Sequence, residues 1–159
     1  MGREGIEQYL YMMGHAFESQ DGWHSLLKNL GAVKDDEWDW VPDGGKRSIG
    51  KIAEHCGARY MYANHAFGDR TMRWETTPSP PPRTDHAGVI EWVRVGYRRM
   101  RDGVESLGDD AELTRLRGSP FGDERETRWL IQTMIEHDLY HAGEINHIRA
   151  IRQGNDGWS

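Results

Sequence analysis

Apolar residues recur at intervals of three and four along most of the chain, and the breaks between these stretches divide it into four predicted helices. The first spans about 4–30 and carries Ile6, Leu10, Met13, Phe17 and Leu27 on one stripe, with Asp21-Gly22 as the place where it would kink or split. A loop over 31–47 follows, holding Trp38, Trp40, Pro42 and the turn signal Asp43-Gly44-Gly45. Ser48, a favourable N-cap, opens the second helix, whose stripe is Ile49, Ile52, Ala53, Cys56, Tyr60, Ala63 and Phe67. The proline-rich run 76–82 is incompatible with a helix, because proline lacks the amide donor and clashes with the preceding turn. The third helix begins near Thr84 or Asp85 and carries Ile90, Val93, Tyr97, Met100, Val104 and Leu107. The link 108–122 includes Leu113-Thr-Arg-Leu116, read as a short irregular extended piece, and the fourth helix runs from near Asp123 to about Arg152. Strand-like alternation is scarce and no internal repeat is present. The pattern predicts an all-α four-helix bundle with long loops between helices, one domain over 1–159.

The fourth helix has an unusual stripe. Its inward positions are Leu130, Met134, His137, His141, Ile145 and Ile148, so two imidazoles occupy slots where a bundle would carry Leu or Ile. Residues four apart on a helix project from one face, within reach of a common ion. An imidazole left unsatisfied in a core costs on the order of 1–3 kcal/mol, and a metal ion is one partner that satisfies both. The alternative is a pair of boundary rings hydrogen-bonded to backbone and solvent.

A catalytic site of the zinc type needs a third protein ligand and an open position. His55 lies on the second helix three residues after Ile52; Cys56 lies nearer the middle of that apolar stripe; His24 continues the stripe of the first helix. The residues themselves leave these three open. His147 is rotated to another face, and His65 and His86 sit near loop ends. The His137-Asp138-x-x-His141 spacing is superficially like the zincin helix, but it has Asp in place of the water-activating Glu and lacks the glycine-marked downstream turn. Di-iron carboxylate bundles need two Glu-x-x-His motifs, and only Glu144-x-x-His147 matches.

Composition narrows the class of partner. With 159 residues, 29% of them charged, and a mean hydropathy of -0.83, the chain reads as a soluble domain. No apolar run approaches the ~20 residues that span a bilayer, so no membrane partner is expected. A formal net charge of -6 disfavours nucleic acid, and the short cluster Arg94, Arg98, Arg99 and Arg101 reads as a solvated helix face. A lone cysteine and a start without an apolar signal core lead us to expect a cytoplasmic protein acting on a small-molecule substrate.

Two blocks of the sequence resemble the DinB/YfiT-like metalloenzyme family. The first runs from Trp40-Val-Pro42 through Gly44 and Ser48-Ile49 to His55; the second runs from Thr127 through His137-Asp-Leu-Tyr-His141-Ala-Gly143-Glu-Ile145 to Arg149. The resemblance implies a four-helix bundle holding a divalent ion on His55, His137 and His141, and so favours His55 over Cys56. Zinc is the first expectation for the ion, with nickel, iron or manganese as alternatives. Relatives include thiol-dependent S-transferases and a mycothiol-dependent maleylpyruvate isomerase. By likeness, the expected reaction is transfer of a low-molecular-weight thiol, mycothiol or bacillithiol, to a small electrophile. Other readings are a metal-dependent hydrolase or isomerase, or a non-catalytic metal-stabilised or stress-response bundle. Glu136, Asp138 and Glu144 flank the ligands and are candidates to orient imidazole N–H groups, against exposed helix surface as the alternative. Arg149 is a candidate to bind the thiol's carboxylate or an anionic substrate, against an ion pair between helices. Trp38, Trp40 and Trp74, in or beside loops, either anchor them or wall a pocket or dimer contact. A homodimer is expected from the family.

Overall fold

The computed structural model describes residues 2–20, 25–67, 85–119 and 121–155, with the backbone alone at 61, 62 and 65. The expected connector 76–82, His24, Trp74 and Thr84 lie outside these residues. The described elements are α1 (Glu4–Phe17), α2 (Leu26–Gly31), α3 (Asp35–Trp38), α4 (Ile49–His65), α5 (His86–Glu105), a 3-10 turn (Asp110–Thr114), strands β1 (Leu116–Gly118) and β2 (Glu124–Glu126), and α6 (Thr127–Gln153). Helices α1, α4, α5 and α6 form the all-α bundle, and the short elements pack against them, α2 on α6 and the 3-10 turn on α1 and α6. Among the described residues no helix is long and apolar enough to cross a membrane.

Local chemistry explains several of the boundaries. Ser48 and Asp85 cap α4 and α5, their side chains accepting the amides of Lys51 and Gly88. Gly154, at φ 69°, ends α6 in the left-handed conformation that glycine adopts without strain. The first helix is divided, as the Asp21-Gly22 signal allowed, into α1 ending at Phe17 and α2 starting at Leu26, with Asp21 and Gly22 themselves outside the described residues. Ser25, wholly buried, joins the halves by donating to the Phe17 carbonyl (2.7 Å) and accepting the Lys28 amide. The break changes the buried face, so α2 buries Leu26 and Leu30 while Leu27 is only partly covered.

Two expectations are corrected. The loop before α4 contains α3, whose Glu37 is buried and accepts the Lys34 amide (2.8 Å) and the Gln153 side chain (2.6 Å). The extended piece is displaced: Leu113 and Thr114 are in the 3-10 turn, and the strand starts at Leu116. It pairs antiparallel with β2, with Leu116 opposite Glu126 and Gly118 opposite Glu124. This pairing takes up 124–126, so α6 begins at Thr127 rather than near Asp123. The hairpin closes through Gly122 at φ 86° and is tied to α6 where buried Thr127 bonds the Arg115 carbonyl through both its amide and its hydroxyl. A three-residue strand in charged sequence carries too little alternation to be legible in advance.

The core is built on aromatic rings from three helices. Phe17 of α1 stacks on Tyr97 of α5 (centroids 3.9 Å apart) and meets the edge of Tyr60 of α4 (5.6 Å). Close approach of α4 and α5 depends on Gly57, where an added Cβ would lie 2.2 Å from the Trp92 ring. Gly57→Ala is therefore expected to destabilise the fold by about 1–3 kcal/mol, measured by denaturant unfolding. Adding Trp92→Leu should restore most of the loss, whereas an undisturbed single variant would contradict the packing described.

Candidate metal centre

Helix α4 presents one apolar face to the core, and His55 lies on the flank of that face, half-buried beside fully buried Cys56. Helix α6 packs directly on α4 and carries His137 and His141 in its inward stripe. The packing brings the three rings together. His137 Nε2 lies 3.0 Å from His55 Nε2, and the ring centroids are 5.0 Å apart for His55–His137, 5.0 Å for His55–His141 and 4.4 Å for His137–His141. One nitrogen from each ring lies within 4.8 Å of the other two, and these three residues form the only such donor group among the described residues. Two nitrogens on one tetrahedral zinc, each at about 2.0–2.1 Å, stand ~3.3 Å apart, close to the 3.0 Å between the His55 and His137 nitrogens.

The donor chemistry fits. Burial, followed by the positive fields of neighbouring His and Arg side chains, pushes His55 down to about 4 and His137 to about 3; His141 is lowered too, chiefly by burial. All three rings are therefore neutral near pH 7, the form that binds metal. His141 Nδ1 pairs with Glu144 Oε2 at 2.7 Å, which leaves Nε2 as the nitrogen available to an ion. Glu144 is in turn held by Arg47 (3.0 Å). His137 Nδ1 is buried without a hydrogen-bond partner.

The acids expected around the ligands have three different fates. Glu144 orients His141. Asp138 is buried and accepts the Tyr60 hydroxyl, an arrangement that fastens α6 to α4 one residue from His137. Burial pushes Asp138 up to about 8 against the opposing pull of the Tyr60 hydrogen bond, and pushes the Tyr60 hydroxyl upward as well. Glu136 is exposed and pairs with Gln132 (2.8 Å), away from the rings. Arg149 donates to Glu37 at 3.3 Å, the ion pair between helices that was its alternative role. Cys56 is a buried packing residue whose thiol is raised by burial. Of the remaining imidazoles, His15 stacks on Tyr11, His86 faces Asp35 and Trp38, and His147 is exposed.

A cavity of about 260 Å³ opens beside the centre, with His137 in its wall. Arg59 and Ala63 line it from α4, Trp129, Leu130, Thr133 and Met134 from α6, and Phe121 from the hairpin turn. Arg59 and Tyr60 escaped the sequence reading for different reasons. Arg59 is one turn after His55 and so shares its face, a signal that was present in the spacing. Tyr60 sits in an apolar stripe where a ring reads as core.

A family model described as the DinB superfamily matches residues 18–145. Among solved structures, the chain is similar to a DinB-like protein from Bacillus cereus ATCC 10987, with a TM-score of 0.66 at 18% identity, over 95% of this chain and 92% of that one. At that identity the likeness speaks to fold alone. No curated protein matches.

The titrating groups set the pH profile of the metal-free protein. Unfolded histidines titrate near ~6.5, above His55 and His137 in the fold, so acidification below that value protonates the unfolded chain first and stability falls towards pH 4. Asp138 has the opposite sign. Its folded pKa is raised above the unfolded ~3.9, so its contribution is present at low pH and is lost as pH rises through about 8. Thermal unfolding in chelator should therefore give a maximum near pH 6.5. Asp138→Asn should flatten the decline between pH 6.5 and 8.5, and an unchanged slope there would contradict the burial of this carboxyl.

Proposed function

Since the chain belongs to the DinB superfamily, we propose that it is a metal-dependent enzyme that transfers a low-molecular-weight thiol to a small electrophile. The observation carrying this reading is the convergence of three neutral imidazoles, His55, His137 and His141, beside a cavity. Structural zinc sites are closed by four protein ligands, whereas catalytic ones keep a position open. Three rings with a cavity at one edge match the second pattern. Zinc suits the donor set, and nickel, iron or manganese are the alternatives.

Held by His55, His137 and His141, a divalent ion would supply Lewis acidity, lowering the pKa of a thiol or water and polarising a substrate. The protein's residues supply the rest. Glu144 holds the His141 tautomer, and Tyr60 with Asp138 fixes the helix turn that carries His137. Trp129, Leu130 and Met134 give the adjoining cavity an apolar wall against which the hydrocarbon part of a substrate would pack. In the transfer a sulfur–carbon bond forms as the leaving group departs with the bonding electron pair, and the thiol proton passes to solvent. Mycothiol and bacillithiol are the thiols proposed.

Elemental analysis of untagged protein tests the centre. The wild type is expected to hold one equivalent of metal, and His55→Ala, His137→Ala and His141→Ala to lose it while remaining folded. Glu144→Gln should weaken affinity by about 10–100-fold. Full retention of metal in any histidine variant removes that residue from the centre. Chelated protein should stay folded but lose thiol transfer to a panel of small electrophiles, with recovery on adding metal. Unfolding on chelation, with no turnover of either thiol, would instead make the ion structural.

A further inference from the structure

Glu144 divides its two carboxylate oxygens between two elements of the fold. Its Oε2 pairs with His141 Nδ1 at 2.7 Å, and its Oε1 accepts a bond from the Arg47 guanidinium at 3.0 Å. His141 and Glu144 stand one turn apart on α6, whereas Arg47 immediately precedes Ser48, the cap of α4. The loop that delivers Arg47 is turned at Pro42–Gly45: the Gly45 amide donates to the Pro42 carbonyl (2.8 Å), and Gly44 takes a φ of 76°, where glycine is unstrained. The three side chains differ in exposure. His141 is buried, while the Glu144 side chain is 23% exposed and that of Arg47 46%. A buried ring is thus oriented by a carboxylate that a half-exposed guanidinium holds from outside. A glutamate side chain has many rotamers to lose on being fixed, and a bond on its second oxygen restrains it from swinging off the ring.

We propose that Arg47 is a positioning residue of the histidine centre: by holding Glu144 Oε1 it keeps Oε2 on the Nδ1–H of His141, and so keeps Nε2 of that ring presented to the ion. The inference rests on the metal-centre part of the functional reading and is independent of the reaction. Arg47 acts on the centre in two opposing ways. As a positive charge it disfavours a cation, and its field is among the causes that lower His55 and His141. As the holder of Glu144 it favours the same cation. The second effect is the larger. The guanidinium is half in solvent, which screens a charge acting at a distance, and the negative charge of Glu144 offsets its field, whereas the bond to Oε1 is direct. Orientation of a ligand by the groups behind it is a substantial part of metal affinity.

The two effects predict opposite signs, so zinc affinity, measured by competition with a chromophoric chelator, separates them. Arg47→Ala is expected to weaken zinc binding by about three- to fivefold, the scale of a partly exposed ion pair. Arg47→Lys should recover most of that loss, because an ammonium also donates to one carboxylate oxygen. In a Glu144→Gln background, Arg47→Ala should cause no further weakening, since the path through the carboxylate is already cut. A second readout needs no metal. In chelated wild type, two-bond proton–nitrogen NMR of the histidine rings at neutral pH should place the His141 proton on Nδ1, and Arg47→Ala should spread it over both nitrogens. Tighter or unchanged zinc binding in Arg47→Ala overturns the proposal, and so does an equal weakening in the Glu144→Gln background. A wild-type His141 protonated on Nε2, or a tautomer indifferent to Arg47→Ala, overturns it as well. Where Arg47→Ala does not fold, Arg47→Gln takes its place in every comparison. If the wild type binds no metal, the metal-dependent reading fails, while the tautomer comparison on metal-free protein still decides the role of Arg47.

Discussion

At 3.0 Å between their Nε2 atoms, His55 and His137 are close enough that two neutral rings must divide the roles of donor and acceptor, with His141 crowding both. Protonation does not relieve the crowding, because burial and like charge oppose it on every ring. A single cation accepting a lone pair from each ring would satisfy all three at once, without adding a proton. The geometry of the rest of the molecule follows from the need to hold this seam between α4 and α6.

The scaffold holds it from several sides. Phe17, Tyr60 and Tyr97 lock α1, α4 and α5 around one aromatic cluster, and Gly57 lets α4 and α5 approach until Trp92 covers its Cα. The Tyr60 hydroxyl then crosses to Asp138 on α6, so the ring that anchors α4 in the core also sets the position of His137. At the far end of α6, Glu37 gathers Arg149 and Gln153 onto α3. At the near end, Thr127 fastens the helix start to the hairpin, which brings Phe121 to the cavity. The centre is thus fixed by contacts that mostly do not touch it, as preorganised sites require.

How far this was legible in the sequence depends on the kind of signal. The helix-four stripe was readable because three- and four-residue spacing translates directly into one face, and all its apolar members are buried. The start of α4 was readable from Ser48. His55 was not separable from Cys56 by periodicity, since adjacent helical residues differ by only ~100°; the family resemblance favoured it, and the geometry places it in the cluster. The break between α1 and α2 was signalled by Asp21-Gly22, but the change of buried face across it, with Ser25 bridging Phe17 and Lys28, leaves no mark in the hydrophobic pattern. The small hairpin is fixed by tertiary bonds to Thr127, and Asp138 could be recognised as buried only once Tyr60 was seen to reach it.

X-ray absorption at the metal edge of untagged, metal-loaded protein tests the centre most directly, because imidazole rings give a characteristic outer-shell pattern. Three imidazole nitrogens at about 2.0–2.1 Å, with one further light atom, is the environment expected. A protein sulfur in the first shell, or fewer than three imidazoles, would contradict the shared histidine centre on which the functional reading stands.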